Sequence, residues 1–238
     1  MRLMGYAASA LGNRELDWER EQFLANTAAG GFPYLAANLK AKDEQAAALG
    51  HKPFILVERG GVKVALVGLA ARKAVFTPMP GRMAGLELIS EEQALSQTIP
   101  AARLQGAEVV AIITDGCLWE MAELLPRHPD WAPALVAGRG CDRPFPETVG
   151  LTRLVYPGRH WNDYAKVNVT VDLLRPLAQR VVETKSARVE MLGAGPGKAD
   201  PQAAALVASW KKKLDQELGA PIGFSKTGLE QESVQMTH

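Results

Sequence analysis

The sequence predicts an α/β fold, and three observations carry that expectation. Val62–Leu69 (VKVALVGL) and Val109–Thr114 (VVAIIT) are apolar, largely β-branched runs, the pattern of strands buried on both faces. Between them, Ser90-Glu91-Glu92-Gln93 is a capping box, in which the serine hydroxyl satisfies one free amide and Gln93 reaches back to another. A strand, a capped helix and a second strand in that order are what a sheet covered by helices requires.

The elements follow along the chain. Asp17–Ala29 is predicted as a helix with Trp18, Phe23 and Leu24 apolar. The strand Val62–Leu69 is entered from the turn pair Gly60-Gly61. The Ser90 helix continues through Leu95, Ile99, Ala102 and Leu104 to Gly106, with a kink or break expected at Pro100, whose ring cannot donate to the preceding turn. Ala134–Ala137 and Leu154–Tyr156 are shorter strand candidates. Val167–Asp172 (VNVTVD) alternates, so one of its faces is expected to meet solvent, and Arg180–Met191 is a strand or hairpin arm. Met191–Asp200 (MLGAGPGKAD) is the linker. It is not a phosphate loop, because its Gly-Lys spacing is one residue short and Ala199 stands where a hydroxyl is needed. Asp200-Pro201 then starts a helix that runs through Leu206, Val207, Trp210 and Leu214 to Gly219, with Pro221 beyond. Its Lys211-Lys212-Lys213 triplet is a solvated face near the end of the helix where cations are favoured. Three parts are therefore expected: a domain over 1–190, a linker and bridging helix over 191–220, and the start of a further domain or a tail over 221–238.

Bulk properties narrow the function. With 238 residues, 47% of them hydrophobic and 22% charged, the chain can bury a core. A net charge of +1 with both signs interspersed leaves no electrostatic footprint for nucleic acid. No apolar run reaches membrane-spanning length, and the opening MRLMGYAASALGN is too short and broken to read as a secretory signal. Cys117 and Cys141 are the two cysteines, and their spacing does not decide between a disulfide and two thiols.

An ordered set of phrases carries a resemblance. Met4-Gly5-Tyr6 is followed by Ala10-Leu11-Gly12-Asn13-Arg14-Glu15-Leu16-Asp17, then Phe32–Leu39 (FPYLAANL), Gly61–Leu69, Gly85–Leu88, Gly106–Val110, Tyr164–Asp172 and Leu218–Gly223. In this order the phrases resemble the 5'-nucleotidase family of the calcineurin-like metallophosphoesterases over essentially the whole chain. The resemblance implies part of that family's four-layer sandwich, with a C-terminal linker helix. Two family pieces have no counterpart here: an opening strand with Asp-x-His and a Gly-Asp motif. Without them, the Val62 and Val109 strands are expected to leave an exposed sheet edge, covered by self-association or a partner. Export to a periplasmic or extracellular space is what the family implies for localisation.

The family chemistry implies two divalent metals (Mn, Zn or Mg) that clamp a phosphate and activate water. The motif positions that would hold them are altered. Gly12-Asn13-Arg14-Glu15 keeps the amide of Asn13 as a metal ligand but places Arg14 where a histidine would assist the reacting phosphate. An arginine cannot serve as a proton donor near neutral pH, although its fork binds phosphate. The plain alternative is that Asn13 holds the turn before the helix. Thr114-Asp115-Gly116-Cys117 has Asp115 at a metal-histidine position; otherwise Asp115 caps the helix starting near Leu118. Gly138-Arg139-Gly140-Cys141 loses two histidines, puts a cation at Arg139, and leaves Cys141 as a soft-metal ligand or, more plainly, a buried structural cysteine. The histidines His51, His128, His160 and His238 do not rescue the site and read as surface residues, with His160 in a loop that could face it. Three functional readings follow. One is a homologue without dimetal catalysis and with no cofactor. Another is a nucleotide phosphoesterase with an altered site on Asn13 and Asp115. The third is a metal-free module in which Arg14 and Arg139 take a nucleotide or phosphate ligand.

Overall fold

The computed structural model describes residues 1–12, 14–17, 19–44, 49–70, 84–141, 143–158, 162–191, 199–221 and 223–224. It divides into two compact units, Met1–Gly193 and Ala194–His238. In chain order the first contains β1 (Ser9–Ala10), α1 (Arg20–Gly30), β2 (Tyr34–Leu35), β3 (Leu39–Ala41), β4 (Phe54–Arg59), β5 (Val62–Leu69), β6 (Leu86–Leu88), α2 (Glu91–Leu104), β7 (Val109–Cys117), α3 (Leu118–Leu124), β8 (Leu135–Arg139), β9 (Thr148–Val149), β10 (Thr152–Val155), β11 (Asp163–Val171) and β12 (Val181–Glu190).

The α/β expectation holds. A six-stranded mixed sheet in the order β4-β5-β7-β8-β10-β9 forms the centre, with β5, β7, β8 and β10 mutually parallel. Parallel strands need crossovers, and α2 and α3 supply two of them. Both helices lay apolar stripes on one face: Leu95, Ile99 and Ala102 from α2 and Leu118 and Met121 from α3 join Val67, Ile112 and Val136 in one buried cluster. The antiparallel hairpin β11–β12 covers the other face, where Val169, Val171 and Val181 pack on Val62, Val64, Val109 and Ala134. Burial along β11 alternates residue by residue, as VNVTV requires of a strand with one solvated face. An apolar cavity of about 360 Å³ lies between β11 and the sheet, bordered by Val62, Val64, Val109, Val167 and Val169.

The expected edge is corrected. The Val62 and Val109 strands are interior, flanked by β4 and β8, and the edges of this sheet are β4 and the two-residue β9. The reason is a hairpin. Phe54–Arg59 pairs antiparallel with β5 through Gly60 and Gly61, whose φ angles of 58° and 77° make the tight left-handed turn open to glycine pairs.

Two helix expectations are also corrected. Pro100 neither breaks nor ends α2, which continues to Leu104. Pro100 and Ser96, whose carbonyl loses its amide partner, both lie on the exposed face, where water can replace the missing bond. The Ser90 cap forms as expected, with Gln93 N–H donating to Oγ at 3.1 Å. Helix α1 starts three residues after Asp17 because Arg14–Asp17 forms a turn closed by Asp17 N–H to the Arg14 carbonyl at 3.2 Å. It ends on Gly31, whose φ of 71° is left-handed.

The second unit contains α4 (Pro201–Leu218), capped by Asp200, whose Oδ1 accepts from Ala203 N–H at 2.8 Å, and closed at Gly219. Its Leu206, Val207, Trp210 and Leu214 are exposed. No helix among the described residues is long and apolar enough to cross a membrane.

Candidate functional site

The site expected from the motifs lies where β7 and β8 end side by side. The two strands run in parallel with Ile113 opposite Ala137, so stepping on by two residues brings Asp115 toward Arg139. The ladder slips between Ile113 and Cys117, and Cys117 pairs with Arg139. Two links join the strand ends. Arg139 Nη1 stands 3.9 Å from Asp115 Oδ1, with the arginine side chain 58% exposed and the aspartate 23%. Cys117 and Cys141, whose Cα atoms are 5.7 Å apart, form a disulfide.

The glycines between these residues let the loops touch. A Cβ on Gly138 would stand 2.8 Å from Thr114 Cγ2 and 3.2 Å from the Gly116 carbonyl oxygen. The turn itself is set by Gly116 N–H donating to Thr114 Oγ1 at 2.8 Å. Cys141 adopts a φ of 49°, a left-handed conformation uncommon for a residue with a side chain.

Glu15 approaches the same place from the N-terminal segment. A Cβ on Gly12 would meet Glu15 Oε2 at 2.7 Å and the Asp115 carboxyl at 3.6 Å, so both acids lie close against this glycine. Burial pushes the Glu15 carboxyl above its usual value. Backbone amides of Glu15 and Gly12 oppose that rise, and the charges of Asp115 and Asp17 add to it. Its charge in turn adds to the burial that raises the Tyr34 hydroxyl.

A raised carboxyl has a definite consequence for stability. The folded state holds its proton to higher pH than the unfolded chain, so stability contributed by Glu15 is full below the unfolded value and is lost as pH rises through the folded one. Replacing Glu15 with Gln is therefore expected to raise the melting temperature at about pH 7 and to leave it unchanged near pH 4. Equal melting shifts at both pH values would contradict this.

The predicted residues are accounted for as follows. Asn13 and His160 lie outside the described residues, as does His238. Asp115 does not cap the following helix. It stays in β7, and the cap is Cys117, whose N–H donates to Glu120 Oε2 at 3.4 Å. Arg14 is 79% exposed and gives Nη1 to Asp17 Oδ2 at 3.0 Å. Cys141 is neither a free structural cysteine nor a thiolate ligand, because its sulfur is bonded to Cys117. His51 is half-buried rather than on the surface: its Nε2 bonds the Leu39 carbonyl at 2.9 Å, and burial pushes its pKa down. His128 contacts Glu92 at 2.6 Å and stacks on Trp131, and so is engaged elsewhere.

Sequence reading left the disulfide open, and the structure forms it, although a signal for it was present. Asp115-Gly116-Cys117 and Arg139-Gly140-Cys141 share one pattern, a charge, a glycine and a cysteine, at the ends of two strands. Once those strands lie side by side, the slipped ladder still brings the opposite charges within 3.9 Å and the two cysteines into a bond.

These residues do not fit a two-metal centre. Arg139 is a fixed cation beside Asp115, and the cysteine sulfurs are held in a disulfide. Among the described residues no group of three or more histidine, cysteine or acidic side chains converges as a cation site requires.

The fold is similar to that of solved calcineurin-like phosphoesterases. The chain covers 73% of the calcineurin-like phosphoesterase YfkN of Bacillus subtilis, with 91% of its own length aligned at a TM-score of 0.68 and 15% identity. Within that type the resemblance is to 5'-nucleotidases. The chain is 30% identical to the 5'-nucleotidase of Rattus norvegicus over 145 residues, 58% of this chain. It superposes on the 5'-nucleotidase precursor of Thermus thermophilus with a TM-score of 0.69 over 92% of its length at 16% identity. It spans 24% of the rat protein and 45% of the Thermus chain. No protein-family model matches the sequence.

Proposed function

We propose that this chain is a 5'-nucleotidase-like domain that keeps the phosphoesterase scaffold without dimetal hydrolysis. One observation carries the reading: at the ends of β7 and β8, where the resemblance places metal ligands, an Asp115–Arg139 ion pair and a Cys117–Cys141 disulfide stand instead. A guanidinium does not lose its charge near neutral pH, so a dication beside it is opposed at every working condition. Hydrolysis in this family needs two ions, one to activate water and one on the phosphate. Arg14 replaces the group that would assist the reacting phosphate, and its fork is turned to Asp17.

The direct test is phosphate release from AMP with added Mn²⁺, with elemental analysis of the dialysed protein. Less than one bound ion per chain and no release above a buffer blank are expected. Near-stoichiometric metal, or turnover that disappears in an Asn13→Ala, Asp115→Ala double variant, would restore the reading of an altered but working hydrolase.

A metal-free ligand role is favoured by one further observation. The Arg14 and Arg139 side chains are 79% and 58% exposed, which leaves guanidinium edges open to a phosphate oxygen. Calorimetric binding of AMP or inorganic phosphate, lost in Arg14→Ala or Arg139→Ala, would support it. Asp115 and Glu15 close by oppose an anion, so any such binding is expected to be weak and to fall with salt.

A further inference from the structure

We propose that the Cys117–Cys141 disulfide is a reducible clasp that ties the β7-end and β8-end loops together, so that protein bonds take over the cross-linking role of metal ions between those loops. The inference rests on the functional reading above, in which no dimetal centre joins the two loops.

The geometry supports a clasp local to the site. The disulfide closes a loop of sequence separation 24 that contains α3 and β8. The bond lies two residues beyond Asp115 on one side and two beyond Arg139 on the other, and so spans the same loops as the ion pair. The ion pair cannot hold them alone. At 3.9 Å it is longer than a hydrogen bond, and its arginine is largely solvated, a setting in which ion pairs contribute little. Close packing also depends on the loops staying shut, since Gly138 sits against Thr114, Leu118 and the Gly116 carbonyl. Cys117 is buried, whereas Cys141 is partly exposed, so a reductant approaches the bond from the Cys141 side. The left-handed backbone at Cys141 is a second reason for the loop to relax once the bond is gone.

The chemistry balances as thiol–disulfide exchange. A dithiol reductant attacks one sulfur, the S–S bond breaks through a mixed disulfide, and the reductant's second thiol closes its own disulfide. Two electrons and two protons pass to Cys117 and Cys141, which become thiols. Oxidised glutathione runs the reaction in reverse and accepts the electrons.

Hydrogen exchange of the whole chain in short labelling pulses tests this, with and without dithiothreitol. Amides of 114–117 and 138–141 are expected to exchange roughly tenfold faster after reduction, while those of Val62–Leu69 stay protected. Oxidised glutathione should restore the slow rates. A Cys117→Ser, Cys141→Ser variant should show the fast loop rates without reductant; if it does not fold, the reduced natural chain supplies the measurement. Unchanged loop rates after reduction would overturn the clasp. So would exchange over Val62–Leu69 as fast as in the loops in the same pulses, because the loops would then open only together with the whole domain. Phosphate release from AMP, followed in both states, separates the two readings: turnover defeats the functional one and leaves the clasp standing.

Discussion

Replacing Asn38 with leucine is expected to lower the unfolding free energy by about 3–5 kcal/mol, from two buried backbone groups left without partners at ~1–3 kcal/mol each and a lost polar fit. Asn38 is fully buried in the segment between β2 and β3. Its Nδ2 donates to the Ala70 carbonyl at 2.7 Å, and its Oδ1 accepts from Ala70 N–H at 2.8 Å. The side-chain amide thus imitates a neighbouring strand at the residue just after β5, while the Asn38 backbone carbonyl accepts from Ile89 N–H at 2.9 Å. Leucine keeps the volume and satisfies neither group of Ala70, itself buried. Alanine should cost less if the space it opens admits a water to bond Ala70. The check is the denaturant midpoint at constant slope. A leucine variant within about 1 kcal/mol of the parent would show that Ala70 finds other partners.

The same segment shows what the sequence makes legible. The phrase Phe32–Leu39 could be matched to a family, but its task could not be seen, because the partner of Asn38 lies 32 residues away. Local signals performed well where local physics decides. The run VKVALVGL gave the bounds of β5, Ser90 formed the first of the two hydrogen bonds expected of its box, and Asp200-Pro201 started α4. They failed where pairing decides. Phe54–Arg59 lacks clear alternation and becomes a strand because the Gly60-Gly61 turn folds it onto β5. Pro100 sits in a helix because its face is solvated, a fact of packing absent from the residue itself. The candidate site behaves likewise. The altered positions Arg14, Asp115, Arg139 and Cys141 could be named from motif order alone. Their joining into an ion pair and a disulfide required the register of β7 against β8. Glu15 owes its raised carboxyl first to burial, and the charge of Asp115, a neighbour that only the fold brings close, adds to it.

Removal of the disulfide is expected to have the second large effect, on global stability. A bond closing a loop of separation 24 restricts the unfolded chain, and the loop-entropy relation gives a loss of about 3 kcal/mol when it is absent. For a domain of this size that corresponds to a fall of roughly 6–12 °C in melting temperature. The Cys117→Ala, Cys141→Ala variant tests the bond without exposing thiols to solvent, and the natural chain in dithiothreitol tests it without changing a side chain. The two should agree, apart from a cavity cost at Cys117, which is buried against the core, whereas Cys141 is partly exposed. Relief of the left-handed backbone at Cys141 works in the opposite direction and offsets part of the loss. A second comparison isolates the ion pair. Asp115→Asn in the oxidised chain should change stability by less than about 1 kcal/mol, because the partner guanidinium is already mostly hydrated. If Asp115→Asn instead costs as much as losing the disulfide, the electrostatic link is the principal tie between β7 and β8. If reduction leaves the melting temperature unchanged, the two strand ends are held by the packing of Gly138 against Thr114 and Leu118 alone.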